Sequence, residues 1–235
     1  MGSTGVKSVP PIPSGPVPVP VPDSVNPKAS VVSVTNAVLM VNVMVFLWQS
    51  RLHGPPWFAF EQRYALSLDG IQSGAWWQFL TYQFLHGGWL HLFFNLFFLH
   101  SIGPVLEQTL GARRFGLLYI ASGVFGGAIH LAGAWMSPGI FGHPVVGASA
   151  GLCGLLAAVC TIYAEEPLEV RIFLILPVVM RAKFLLLAIS LISMAGILFN
   201  WGHVAHLAHL GGLLGGLLML NLMNLETVPV EPPLA

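Results

Sequence analysis

Gly147-Ala148-Ser149-Ala150-Gly151 lies inside a stretch, Phe115 to Ala164, that contains no Asp, Glu, Lys or Arg. Downstream, His209 falls in a second uncharged stretch, Phe184 to Leu225. Polar groups suited to nucleophilic chemistry are costly at membrane depth and mark function where they occur there. The two stretches together point to a chain that crosses the bilayer and carries out hydrolysis within it.

Composition agrees with that reading. The chain has 235 residues, 55% of them hydrophobic and 8% charged, and its mean hydropathy is +0.78. Soluble domains carry about 25% charged residues, so an integral membrane protein is expected. Net charge is zero and no basic cluster occurs, which gives no reason to expect nucleic acid as a partner. Cys153 and Cys160 are seven apart on one expected helix. Two turns separate them by roughly 10 Å, beyond disulfide reach, so they read as small packing residues.

Residues 1–30 form a proline-rich tail, with proline alternating with valine from Pro16 to Pro22. Proline blocks helix and removes donors, so an extended, disordered tail is expected. It lacks the basic start and apolar core of a signal peptide. Six apolar segments follow, at about 31–50, 88–106, 114–135, 149–164, 182–199 and 203–223. Most approach the ~20 residues that cross ~30 Å of hydrocarbon. Segment 51–87 mixes Arg51, Glu61, Arg63 and Asp69 with Trp57, Trp76 and Trp77, which suits an interfacial loop with amphipathic helices. Segment 165–181 reads as a short connection. A short tail, 225–235, closes the chain.

Six spans would put Lys7, Lys28, Arg113, Arg114, Arg171, Arg181 and Lys183 on one side, and Arg51 and Arg63 on the other. The positive-inside rule then places both termini in the cytoplasm. Helix rise sets the depth of the polar residues. Ser149 precedes Glu165, His209 precedes Glu226, and His91 precedes Glu107, each by sixteen or seventeen residues. At 1.5 Å per residue, all three lie about 24–25 Å from the cytoplasmic boundary. Gly139, Gly142, Pro144 and Gly147 break helix just before Ser149. Irregular backbone must dip into the membrane there, which is tolerated only against protein or a wet cavity. Ser149 is thereby expected at a helix N-terminus, where backbone N–H groups and the helix dipole favour a developing anion.

Serine needs a base to take its proton, and neutral histidine is the usual one. Ser149 and His209 meet only if their helices pack closely. Gly147 and Gly151, Ala208 and Gly212, and Gly212 and Gly216 supply small residues four apart for such an approach. No Asp or Glu occurs from Gly70 to Leu106, from Gln108 to Ala164 or from Val170 to Leu225. Unless Asp69 or Glu61 reaches in from the outer loop, the unit is a dyad. Oxyanion donors could come from His91 and Asn95, four apart on one helix face, and from the Ser149 N–H. Ordinary hydrogen bonding between helices is the other reading of His91 and Asn95. His203 and His206 lie nearer the outer surface, where a partly solvated histidine is unremarkable.

His86-Gly-Gly-Trp-Leu-His91-Leu-Phe-Phe-Asn95 resembles the HxxxxHxxxN motif of the rhomboid intramembrane serine proteases. The turn around Ser149 resembles their GxSx nucleophile turn. Ala208-His209-Leu-Gly211-Gly212-Leu-Leu-Gly215-Gly216 resembles their last helix. The resemblance covers about residues 31–224. It implies an all-α, six-transmembrane-helix bundle with a membrane-embedded first outer loop containing Trp76, Trp77 and Thr81. It implies Ser149 as nucleophile, His209 as general base, and His91 and Asn95 as oxyanion donors with the Ser149 N–H. His86, Gly147, Gly212 and Gly216 would support that site, and Gly103, Glu107 and Gly111 match a structural GxxxExxxG feature. It also implies no metal or cofactor, transmembrane-helix protein substrates and a place in the cell membrane. Oligomeric state stays open. Gln78 stands where an arginine is common, Cys153 where an aromatic usually backs the histidine, and Ala150 where glycine is commoner. Two other functions compete: a catalytically silent membrane chaperone of the same fold, and a metal or haem site built from His86, His91, His206 and His209.

Overall fold

The structure is a computed structural model that describes residues 33–172, 176–199, 201 and 204–223. The expected tails, 1–30 and 225–235, lie outside the described residues, as does His203. In chain order the elements are α1 (Val34–Gln49), α2 (Pro55–Tyr64), α3 (Leu68–Gln72), α4 (Gln78–Thr81), a 3-10 turn at Tyr82–Phe84, α5 (Trp89–Leu110), α6 (Ala112–Met136), α7 (Pro138–Phe141), α8 (Ser149–Ile162), β1 (Pro167–Ile172), β2 (Leu176–Arg181), α9 (Ala182–Leu198) and α10 (His206–Leu222). Each of the six apolar segments is thus a helix.

Among the described residues, α5 and α6 are long and apolar enough to cross a membrane. The other apolar helices, α1, α8, α9 and α10, run 14–17 residues. Met40, Met44, Leu90, Leu191 and Leu198 are each more than half exposed on these outer faces. So much exposed apolar surface suits lipid rather than water.

The expectation of an all-helical chain is corrected in one place. Segment 165–181, expected to be a plain connection, holds an antiparallel hairpin pairing Pro167 with Arg181 through to Ile172 with Leu176. Its sequence alternates Leu168, Glu169, Val170, Arg171, Ile172, the period-2 pattern of a strand. Glu165 anchors its base by ion pairs to Arg181 at 2.9 Å and Lys183 at 2.5 Å. The hydrogen bond from Lys183 and the neighbouring charges hold the Glu165 carboxyl below its usual range.

The helices are fastened at their ends. Glu107, in the last turn of α5, accepts hydrogen bonds from Val34 N at 2.7 Å, Thr35 N at 2.9 Å and Thr35 Oγ1 at 2.7 Å. A carboxylate at a helix C-terminus is poorly placed for its own dipole, but here it caps the N-terminus of α1, where negative charge is favoured. A Cβ on Gly103 would stand 2.6 Å from Thr35 Cγ2, so glycine lets α1 seat on α5. Gly111, with φ of +79°, turns the chain from α5 into α6.

The outer loop is fastened at the end of α2. Gln78 is fully buried; its amide accepts from Ser67 N at 3.1 Å and donates to Gln62 O at 2.9 Å. Trp77 Nε1 donates to Arg63 O and Thr81 Oγ1 to Tyr64 O, at 2.8 and 2.7 Å. Consecutive carbonyls at the C-terminus of α2, which no helix bond satisfies, are therefore met by side chains from α4 and its approach.

Glu107→Ala removes three hydrogen bonds from a charged, buried acceptor. A loss of about 1.5–3 kcal/mol is expected from bonds of that kind, seen as a lowered thermal midpoint in detergent. A midpoint equal to wild type would mean that the cap carries no stability.

Candidate active site

Three helices, α6, α8 and α10, pack on one another through glycine. A Cβ on Gly212 would overlap the Ala150 carbonyl, and one on Gly216 would overlap the Gly154 carbonyl. A Cβ on Gly126 of α6 would lie 2.5 Å from Ala208 O and 2.9 Å from Ala150 Cβ. Missing side chains thus let α8 and α10 approach backbone to backbone with α6 behind them. The consequence is local: His209 Nε2 lies 2.7 Å from Ser149 Oγ. Both residues are half-buried.

The backbone before Ser149 is irregular, as the sequence requires, and its hydrogen bonds go to the outer loop. Leu66 and Val145 exchange bonds of 3.0 and 2.9 Å, and Gly147 N donates to Tyr82 O at 2.9 Å. Tyr82 is in turn pinned by its hydroxyl, which donates to Gly123 O at 2.6 Å. Each of these bonds satisfies a backbone polar group that would be costly to bury unpaired. Helix α8 begins at Ser149, and its N-cap, Ala148, provides no side-chain oxygen to occupy the first-turn N–H groups.

His91 completes the cluster. Its Nδ1 accepts from Gly87 N at 3.3 Å, so the proton of the neutral ring resides on Nε2. Gly147 adopts φ of +129°. A Cβ there would sit 2.8 Å from His91 Nε2 and 3.6 Å from Ser149 Oγ. Glycine therefore keeps a small volume open between a hydrogen-bond donor and a hydroxyl. Asn95 is buried and donates its Nδ2 to His91 O at 2.8 Å. His86 is buried with its ring edge-on to His91, centroids 5.1 Å apart. Its backbone is clamped by Gln49 at the end of α1, whose amide accepts from His86 N and donates to His86 O.

Of the sequence-predicted residues, Ser149, His209, Gly147 and His91 gather at one point, with Asn95 bonded to His91 and His86 edge-on against it. Gly212 and Gly216 act through helix contact. None of the hydrogen bonds among the described residues joins His209 to a carboxylate; Asp69 is exposed on α3, and Glu61 lines a cavity that His206, not His209, borders. No three His, Cys, Asp or Glu side chains among the described residues converge to hold a metal ion. Tyr82 and Gln49 escaped the sequence reading. Both act by bonding to backbone, and no spacing rule marks such a residue.

Residues 73–224 match the Rhomboid domain family model. The chain belongs to the rhomboid family. It is 40% identical over 88 residues to Rhomboid protease GluP of Bacillus subtilis, covering 37% of this chain and 16% of that protein. It is 34% identical over 110 residues to RHOMBOID-like protein 5 of Arabidopsis thaliana, covering 47% of this chain and 34% of the relative. It is 34% identical over 89 residues to Rhomboid-type serine protease 2 of Emericella nidulans, covering 38% and 17%. The matched stretches thus span about a third or less of these relatives. The glycine contacts, the Ser149–His209 pair and the His91 cluster all fall inside the rhomboid domain.

Gly212→Ala forces a methyl group into the Ala150 carbonyl, and overpacking of this kind costs about 1–3 kcal/mol. Leu214→Ala, on the exposed side of the same helix, is expected to change stability by less than about 0.5 kcal/mol. Equal thermal midpoints for the two variants would contradict the glycine-contact account.

Proposed function

We propose that the chain is an intramembrane serine endopeptidase that cuts transmembrane-helix substrates by a Ser149–His209 dyad. The observation that carries this reading is the 2.7 Å separation between His209 Nε2 and Ser149 Oγ, within reach for direct proton transfer. His209 takes the Ser149 hydroxyl proton as Oγ attacks the scissile carbonyl carbon. The resulting oxyanion lies in the volume that Gly147 leaves open, facing His91 Nε2–H and the Ser149 N–H. Asn95 has a second amide proton beyond the one given to His91 O, and supplies the third donor. Collapse breaks the C–N bond, and His209 returns its proton to the leaving amine. Water then hydrolyses the acyl-enzyme by the same two proton transfers in turn.

Six helices crossing the bilayer, both termini in the cytoplasm and an outer loop lying in the membrane are part of this reading. Support comes from the basic-residue asymmetry and from exposed Phe58, Trp76 and Trp77 on that loop. Residues 31–224 form the protease domain, flanked by the tails 1–30 and 225–235, in the cell membrane. A silent, helix-binding relative is the second reading, but it leaves a paired hydroxyl and imidazole without a use.

Purified protein in detergent is expected to cleave a model transmembrane substrate. Ser149→Ala and His209→Ala should reduce cleavage to background, and His91→Ala should cost about 10²–10³ in kcat, the loss usual for one oxyanion donor. Chelators should change nothing. Cleavage that survives Ser149→Ala would overturn the serine mechanism.

A further inference from the structure

Among the described residues no carboxylate is hydrogen-bonded to His209, and α10 contains another group suited to holding it. His206 opens the helix three residues before His209, and residues three apart are neighbours on a helix face. The two rings meet edge to face, centroids 6.2 Å apart and planes at 85°. On its other side, His206 Nε2 lies 3.1 Å from the Trp201 carbonyl, to which it donates. Trp201 N in turn donates to Gly196 O at 2.8 Å, at the end of α9. A Cβ on Gly196 would overlap the His206 ring, so glycine at that position makes room for the imidazole. Four groups therefore form one chain of contact: Gly196 at the end of α9, Trp201, His206 and His209.

We propose that His206 is a positioning residue that fixes the His209 imidazole against Ser149 and ties it to the end of α9. The proposal rests on the serine-protease reading above. It gives His209 a ring partner that Cys153 does not provide: that residue has no ring and packs against the cluster of Leu156, Ala157, Cys160, Ala182 and Leu213. His206 borders a cavity of about 580 Å³ together with Glu61, His130 and His143.

The test uses full-length protein in detergent. It measures the rate at which a fluorophosphonate modifies Ser149, together with kcat and KM for a transmembrane substrate, each per titrated active site. His206→Ala should slow modification and kcat together by about 10- to 100-fold, the loss expected when a reacting group is displaced by an ångström, with KM unchanged. His206→Phe should recover most of that rate, because a ring again meets His209. Gly196→Ala should behave like His206→Ala, and it carries the test alone if His206→Ala does not accumulate as folded protein. A purely structural role would lower yield and thermal midpoint while surviving sites react at the wild-type rate. That outcome, or a phenylalanine variant no better than alanine, overturns the proposal. Failure of the wild type to react at Ser149 would instead remove the protease reading beneath it.

Discussion

The structure depends on two backbones approaching without side chains between them. Where Gly212 faces the Ala150 carbonyl and Gly216 the Gly154 carbonyl, α8 and α10 are nearer than any larger residue would permit. In lipid there is no hydrophobic drive to bring helices together, so close van der Waals fit between small residues must supply the attraction. The same approach brings Ser149 and His209 together, because they are carried on these two helices. Gly126 and Gly211 extend the fit to α6, so the pair stands on a three-helix unit rather than on a loop.

A second constraint works at right angles to the first. Ser149 must begin a helix part-way through the bundle, so the chain entering it cannot be helical. The outer loop meets that demand by pairing Leu66 with Val145 and by accepting the Gly147 N–H at Tyr82. The loop is itself tied to α2 by Gln78, Trp77 and Thr81, and to α1 through Gln49. Stability of the loop and geometry of the candidate site are therefore one matter. The Gly87 hydrogen bond to His91 Nδ1 belongs to the same scheme, since it turns the Nε2 proton toward the opening above Ser149.

Much of this was legible in the sequence, for identifiable reasons. Uncharged stretches located the helices because charge is so costly in hydrocarbon. Counting residues to the next glutamate put Ser149, His209 and His91 at one level, and Ser149 does lie beside His209 with His91 across Gly147. Periodic glycine identified the close-packed faces. The hairpin at 165–181 was missed because its alternation covers only a few residues between two apolar helices. Gln78 stood out in the sequence only as a departure from the usual arginine, whereas its folded role depends on carbonyls of a helix sixteen residues earlier. His206 read in the sequence only as an unremarkable outer histidine or as one of four ligands of a metal site. Its ring contact with His209, and the room made for it by Gly196 on another helix, leave no spacing pattern.

The central claim is that a hydroxyl on α8 and an imidazole on α10 stand at bonding distance inside the domain. The most direct measurement is mass spectrometry of the protein after reaction with a bifunctional inhibitor. Such a reagent acylates a serine and then exposes an electrophile to the nearest base. The account predicts one cross-linked species joining the peptide that contains Ser149 to the peptide that contains His209. Modification of Ser149 with His209 left free, or capture of a different base, would contradict it.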